Sequence, residues 1–192
     1  MSHPENFDAQ AYGPLGSLIG TWVGDKGMDL APEPDGPDLT PYYETITFET
    51  VGDVENAEEQ LIMALYYRQV VRKKENDEVF HDQTGYWMWD EKSQVVVQSL
   101  SIPRAVCLLA GAKYEAQAGD EVVISVSASV DDPDWSIIQS PFMRDKAKTL
   151  AFSHTLKVNG DKLSYAETTS LDIYGSPFEH TDQNELTRQK DA

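Results

Sequence analysis

From Thr149 to Val158 the chain alternates. Leu150, Phe152, His154, Leu156 and Val158 fall on one side, and Thr149, Ser153, Thr155 and Lys157 on the other. A period of two is the mark of a half-buried strand. Asn159-Gly160 supplies the two positive-φ positions of a tight hairpin, so a return strand is predicted over 162–171, carrying Leu163 and Tyr165 before it turns polar. Gly175 and Pro177 are expected to stop the pairing, because glycine weakens a strand and proline has no donor for the ladder. That places His180 just past a strand end, at the mouth of whatever the sheet encloses.

The same alternation recurs upstream. Strands are predicted over 42–51, 60–71, 79–89, 95–102, 105–114 and 122–130, with a short one at 135–140. Charged or Gly/Asp turns separate them, notably 72–78 and 90–93, and 141–146 reads as a loop with a possible helical turn. Residues 60–71 are apolar on both faces, yet Tyr66, Tyr67, Val70 and Val71 favour strand over helix. Near the start, Pro14 to Ile19 reads as a short helical turn with proline where its missing donor costs little. Gly20-Thr21-Trp22-Val23-Gly24-Asp25-Lys26-Gly27 then interleaves glycines with a tryptophan, as a sharply coiled strand requires. Residues 31–41, rich in Pro and Asp, read as a long loop.

About ten strands joined mostly by hairpins predict an all-β chain: one antiparallel up-and-down barrel over 14–188, with tails at 1–13 and 189–192. Closure removes both exposed edges. Ten strands also make a barrel wider than side chains alone fill, so an internal cavity is expected. A β-sandwich is the alternative.

Composition narrows the partners. Fifteen Lys and Arg stand against thirty-three Asp and Glu, a formal charge of -18. Such a field repels phosphate backbones and anionic membranes, so neither nucleic acid nor a membrane surface is expected as a partner, whereas a small molecule inside the barrel is. The sequence has no basic-then-apolar leader and no long apolar run, and its single cysteine, Cys107, sits in an apolar stretch. A cytoplasmic protein with an inert core thiol is the expectation; the oligomeric state stays open.

The chemistry is sparse. No paired carboxylates, nucleophile triad, phosphate loop or zinc spacing stands out, so no catalytic side chain is assigned. A neutral imidazole nitrogen can ligate iron, but a lone histidine past a strand end, such as His180, is by itself more often exposed or a hydrogen-bonded cap. Thr181, Asp182 and Asn184 are close enough in sequence to orient it. His154 lies on an otherwise apolar face, either as a satisfied wall residue or as a polar contact to a ligand. Arg144 is a candidate partner for an anionic group.

Three motifs then carry a resemblance: Gly20-Thr21-Trp22-x-Gly24, His81-x-x-x-Gly85-Tyr86-Trp87, and Gly175-x-Pro177-x-x-His180 followed by Leu186-x-Arg188. In this order they resemble the signatures of the nitrobindin-like haem-binding β-barrels, of which this chain would be a longer variant. The resemblance implies ferric haem b held by His180, with His81 lining the pocket, and chemistry with nitric oxide or isomerisation of peroxynitrite to nitrate. Lys26, Met88, the 102–105 turn, Asp182 and Asn184 depart from the usual pattern. A haem-free carrier of a fatty acid or similar apolar ligand, in which His180 is a rim residue, is the alternative.

Overall fold

The computed structural model describes residues 8–33, 36–173 and 175–190, with side chains described outside 30–38. Eleven strands follow a 3-10 helix, Ala9–Leu18: β1 Gly20–Glu33, β2 Gly36–Asn56, β3 Gln60–Lys73, β4 Val79–Asp90, β5 Val95–Ile102, β6 Val106–Lys113, β7 Val122–Ser129, β8 Ile137–Gln139, β9 Ala147–Asn159, β10 Lys162–Ile173 and β11 Ser176–Arg188, with one helix, α1 Pro141–Lys146, between β8 and β9. All pairings are antiparallel. Neighbours run β5-β4-β3-β2-β1-β11-β10-β9-β7-β6, and β5 pairs with β6 to close the ring. Ten strands therefore make the barrel. The eleventh, β8, is a short outlier on β6, which is why β7 pairs with β9 across it.

One end is shut. The 3-10 helix begins at Ala9, five residues before the expected turn, and buries Tyr12, Leu15 and Leu18. Trp22 Nε1 donates to the Leu18 carbonyl at 2.6 Å. Arg188 lies 4.1 Å from the Trp22 ring centroid and donates to the carbonyls of Ser17 and Ile19. Leu163, Leu186, Leu156, Ile46 and Trp87 fill the space above. Two of the three sequence motifs thus contribute to this closure, through Trp22 and Arg188. Each large apolar side chain removed from water here stabilises the barrel by roughly 1.5–3 kcal/mol.

The other end gathers the turns after β1, β3, β5, β7 and β10. Three expectations change here. The loop expected over 31–41 is strand at 31–33 and 36–41: β1 and β2 stay in register out to Glu33 opposite Gly36. The reversal at Gly175, with φ of 78°, is a hairpin tip and not a strand stop. Pairing resumes at Ser176 and runs through Pro177 opposite Asp172, next to the tip, so His180 lies inside β11, opposite Thr169. Finally, the alternation in β9 slips, and Thr149 is buried instead of Leu150, because β9 and β10 lose one step of register between Ser170 and Leu171.

β1 carries a similar irregularity. Gly24 faces Glu44, but the next pair is Gly27 with Tyr42: three steps on β1 against two on β2. Gly27 is required there, since a Cβ would collide with the Tyr42 ring. The tail expected over 1–13 lies outside the described residues up to position 7, as do residues 191–192. Cys107 is a further correction: β6 turns it outward, exposed, with Sγ 3.4 Å from Ser101 Oγ. Among the described residues no helix is long and apolar enough to cross a membrane.

Candidate functional site

Antiparallel register decides which side chains meet inside. Thr169 pairs with His180 and with Phe152, and Glu167 pairs with Asp182 and with His154. Phe152, Thr169 and His180 form one inward row, and His154, Glu167 and Asp182 form the row beneath it. β1 adds Asp29, whose Oδ1 lies 2.8 Å from His180 Nε2, while Asp182 Oδ2 lies 3.2 Å from Nδ1. The His180 side chain is 26% exposed and Asp29 11%. The imidazole is thus flanked by one carboxylate on each nitrogen, and its pKa is raised, first by the bond to Asp29. Burial pushes the Asp182 carboxyl up to about 6.

The surroundings are more polar than the expected apolar wall. Glu44, 1% exposed, accepts from Gln69 Nε2 at 2.6 Å and from Asn184 Nδ2 at 2.7 Å. Burial raises its pKa to about 7. Tyr42 and Tyr165 share a hydroxyl–hydroxyl bond of 2.9 Å beside it. Asn184, expected to orient His180, serves Glu44 instead. Thr181 points outward, since β11 turns every second residue to solvent.

His81 and His154 are joined by a chain of amides. Gln83 and Gln98 each donate an Nε2 hydrogen to Tyr67 Oη, at 2.9 and 3.0 Å. Their carbonyl oxygens then face the imidazoles, Gln83 Oε1 at 3.1 Å from His81 Nε2 and Gln98 Oε1 at 3.1 Å from His154 Nδ1. Those two nitrogens must carry the protons. His154 is consequently only half satisfied: its Nε2 is buried without a partner. Desolvation holds its pKa down to about 3, so it is neutral. Glu167 Oε2 lies 3.8 Å from His154 Nδ1, and burial raises the Glu167 pKa to about 8. His81 is near enough to Asp29, His180 and Arg104 to feel their charges, so β4 brings it to the same mouth.

Arg144 is elsewhere, on exposed α1 and paired with its neighbour Asp145. A depression of about 450 Å³ between Lys26, Lys157 and Glu185 lies on the outer wall of β9 to β11, away from the three histidines.

A closed ten-stranded antiparallel barrel, stoppered at one end and offering the imidazoles of His180 and His81 near the other, is a small-molecule-binding architecture. By its sequence the chain belongs to the family of the THAP4-like, heme-binding beta-barrel domain, whose profile matches residues 11–188. Among solved structures it is similar in fold to Rv2717c from M. tuberculosis, with a TM-score of 0.68 and 22% identity over 97% of this chain and 100% of that one. A search of curated proteins returns no significant match.

Asp29 and Glu167 were not anticipated as site residues. Asp29 lies past the irregular step in β1, where the inward parity counted from Trp22 has shifted, and the polar run Glu167 to Thr169 reads in sequence like solvent-facing strand. The signal that was available is the strict alternation of β10: Leu163, Tyr165 and Glu167 share a parity.

Proposed function

We propose that this barrel binds haem b at its mouth through His180. One observation carries the reading: a single imidazole on the inner face of β11, partly exposed, with Asp182 3.2 Å from its Nδ1. Asp182 is near Nδ1 without a hydrogen bond to it, and a small turn of its carboxylate would let it accept the Nδ1 proton, orient the ring and raise the basicity of Nε2. The donor set therefore fits iron, with one residue that has to move, Asp29 on Nε2. His81, kept neutral because burial lowers its pKa, lines the same mouth. Arg104, near it, is the cation best placed for a propionate. His154 lies in the row beneath His180 with an unfilled acceptor.

Bound ferric haem would supply a Lewis-acidic iron for nitric oxide or peroxynitrite, which makes isomerisation of peroxynitrite to nitrate the proposed reaction. The chain's own part is to hold the iron through His180, fix the ring through Asp182 and keep water out at the stoppered end. No side chain is assigned to proton transfer. Titration of the purified protein with hemin tests this: a sharp Soret band is expected, lost in His180→Ala, and a spectrum of free hemin in both proteins rejects it. Stopped-flow decay of peroxynitrite with nitrate analysis tests the reaction.

A further inference from the structure

We infer that Asp29, His180 and Asp182 form a site for a small first-row divalent cation of the Zn²⁺ class, one that shares His180 with the haem reading but does not rest on it. The spacing is that of ligands around one ion. His180 Nε2 and Asp29 Oδ1 are 2.8 Å apart, and an ion bonded to each at about 2.1 Å would hold them at roughly 85°. Donor atoms of all three residues lie within 4.8 Å of one another, so a turn of the Asp182 carboxylate completes the set. One imidazole with two carboxylates suits zinc and its neighbours, whereas magnesium prefers oxygen alone.

Charge gives an independent argument. Among the described residues the only ion-pair partner of Asp29 and of Asp182 is His180 itself. Glu44 is met by amides and Glu167 by His154 alone. Four carboxylates are thus collected inside the mouth with one imidazole between two of them and no guanidinium or ammonium in ion-pair contact. Glu44 and Glu167 are relieved by amides and by protonation, but Asp29 and Asp182 share a single imidazole between them, and a divalent ion supplies the further positive charge. A compact ion also reaches Nε2 beside Asp29, whereas a porphyrin must displace that carboxylate.

The test is calorimetric titration of the full, chelator-treated chain with ZnCl₂, with MgCl₂ as the comparison. One saturable equivalent of Zn²⁺ is expected, at least tenfold tighter than Mg²⁺, weakened at least tenfold by Asp29→Asn and by Asp182→Asn, and lost in His180→Ala. Asp29→Asn is nearly isosteric, so it remains informative even where His180→Ala misfolds. Saturating Zn²⁺ should also raise the hemin concentration at half-titration. Absence of saturable Zn²⁺ binding, or equal binding by wild type and Asp29→Asn as ions scatter over the acidic surface, overturns the site. A Zn²⁺ isotherm without any Soret band would end the haem reading and leave the cation site standing. A Soret band without the isotherm would do the reverse.

Discussion

At the level of Trp22, Trp87 and Leu186 the barrel interior is indole and hydrocarbon. Nearer the turns the same strands present Glu44, Asp182 and His180. Strand β11 passes through both regions, with Leu186 in the first and Asn184, Asp182 and His180 in the second. The pairing is fuller at the stoppered end: β1 registers with β11 only at Trp22 opposite Arg188 and Val23 opposite Thr187, and β4 with β5 only from Thr84 to Asp90. The inward positions differ as well. The stoppered end gains free energy from burial. The mouth half spends some of it on holding carboxylates away from water, an arrangement that natural sequences tolerate where something is to be bound.

Changes at the stoppered end should therefore act on stability and changes at the mouth on binding, and the sharpest way to break the contrast is to exchange the outcomes. Trp22→Ala removes a fully buried indole together with its bond to Leu18 and its stack on Arg188. A loss of about 3–5 kcal/mol is expected, measured by urea denaturation. His180→Ala should do the opposite: hemin affinity falls at least a hundredfold in absorbance titrations while the urea midpoint stays near wild type. A large loss of stability from this change would mean that the mouth is structural.

Glu44→Ala tests whether the mouth can carry a structural cost of its own. Gln69 and Asn184 would each lose the carboxylate oxygen they donate to. About 1–3 kcal/mol is expected, less than at Trp22, and Glu44→Gln should recover part of it.

The pH dependence is smaller and has a definite sign. Glu44 and Glu167 titrate near 7 and 8 in the folded protein, above the ordinary carboxylate value of about 4.3. The folded chain then binds more protons than the unfolded one, so the stability from these groups is complete in acid and is lost as pH rises through 7 to 8. His154 works in the opposite direction: its folded pKa is depressed to about 3, and its contribution appears as pH rises towards 6.5. Between pH 6.5 and 8.5 the carboxyls dominate, and the melting temperature should fall by several degrees. Glu167→Gln should flatten that slope; an unchanged slope would show that Glu167 is not the group titrating. The smallest effect is reserved for the surface, where Lys26→Ala removes the exposed pair with Glu185 and should leave the melting temperature unaltered.

Much of the barrel was legible because alternation is a local property. Leu156 and Val158, or Ile124 and Val126, announce their faces without reference to anything distant. His180 and His81 were also legible, carried by motifs. The loop expected over 31–41, which is paired strand at 31–33 and 36–41, was misread because its prolines and acidic residues suppress the local strand signal, although β1 and β2 support each other there. Cys107 was misplaced because its neighbours Val106 and Leu108 are the inward ones, and an apolar run hides parity. Asp29 and Glu167 escaped for a different reason. Their importance lies in the residues they face, and those partners are 151 and 13 positions away in the chain.

The extra step that β1 takes between Gly24 and Gly27 bends the wall there. Take out one residue, Asp25 or Lys26, and two steps on β1 match two on β2: Gly27 still meets Tyr42 and Asp29 still faces inward, but the extra bend of the wall is lost. A single residue inserted between Gly27 and Asp29, where the pairing is regular, would instead turn Asp29 to solvent and leave that side of the imidazole bare.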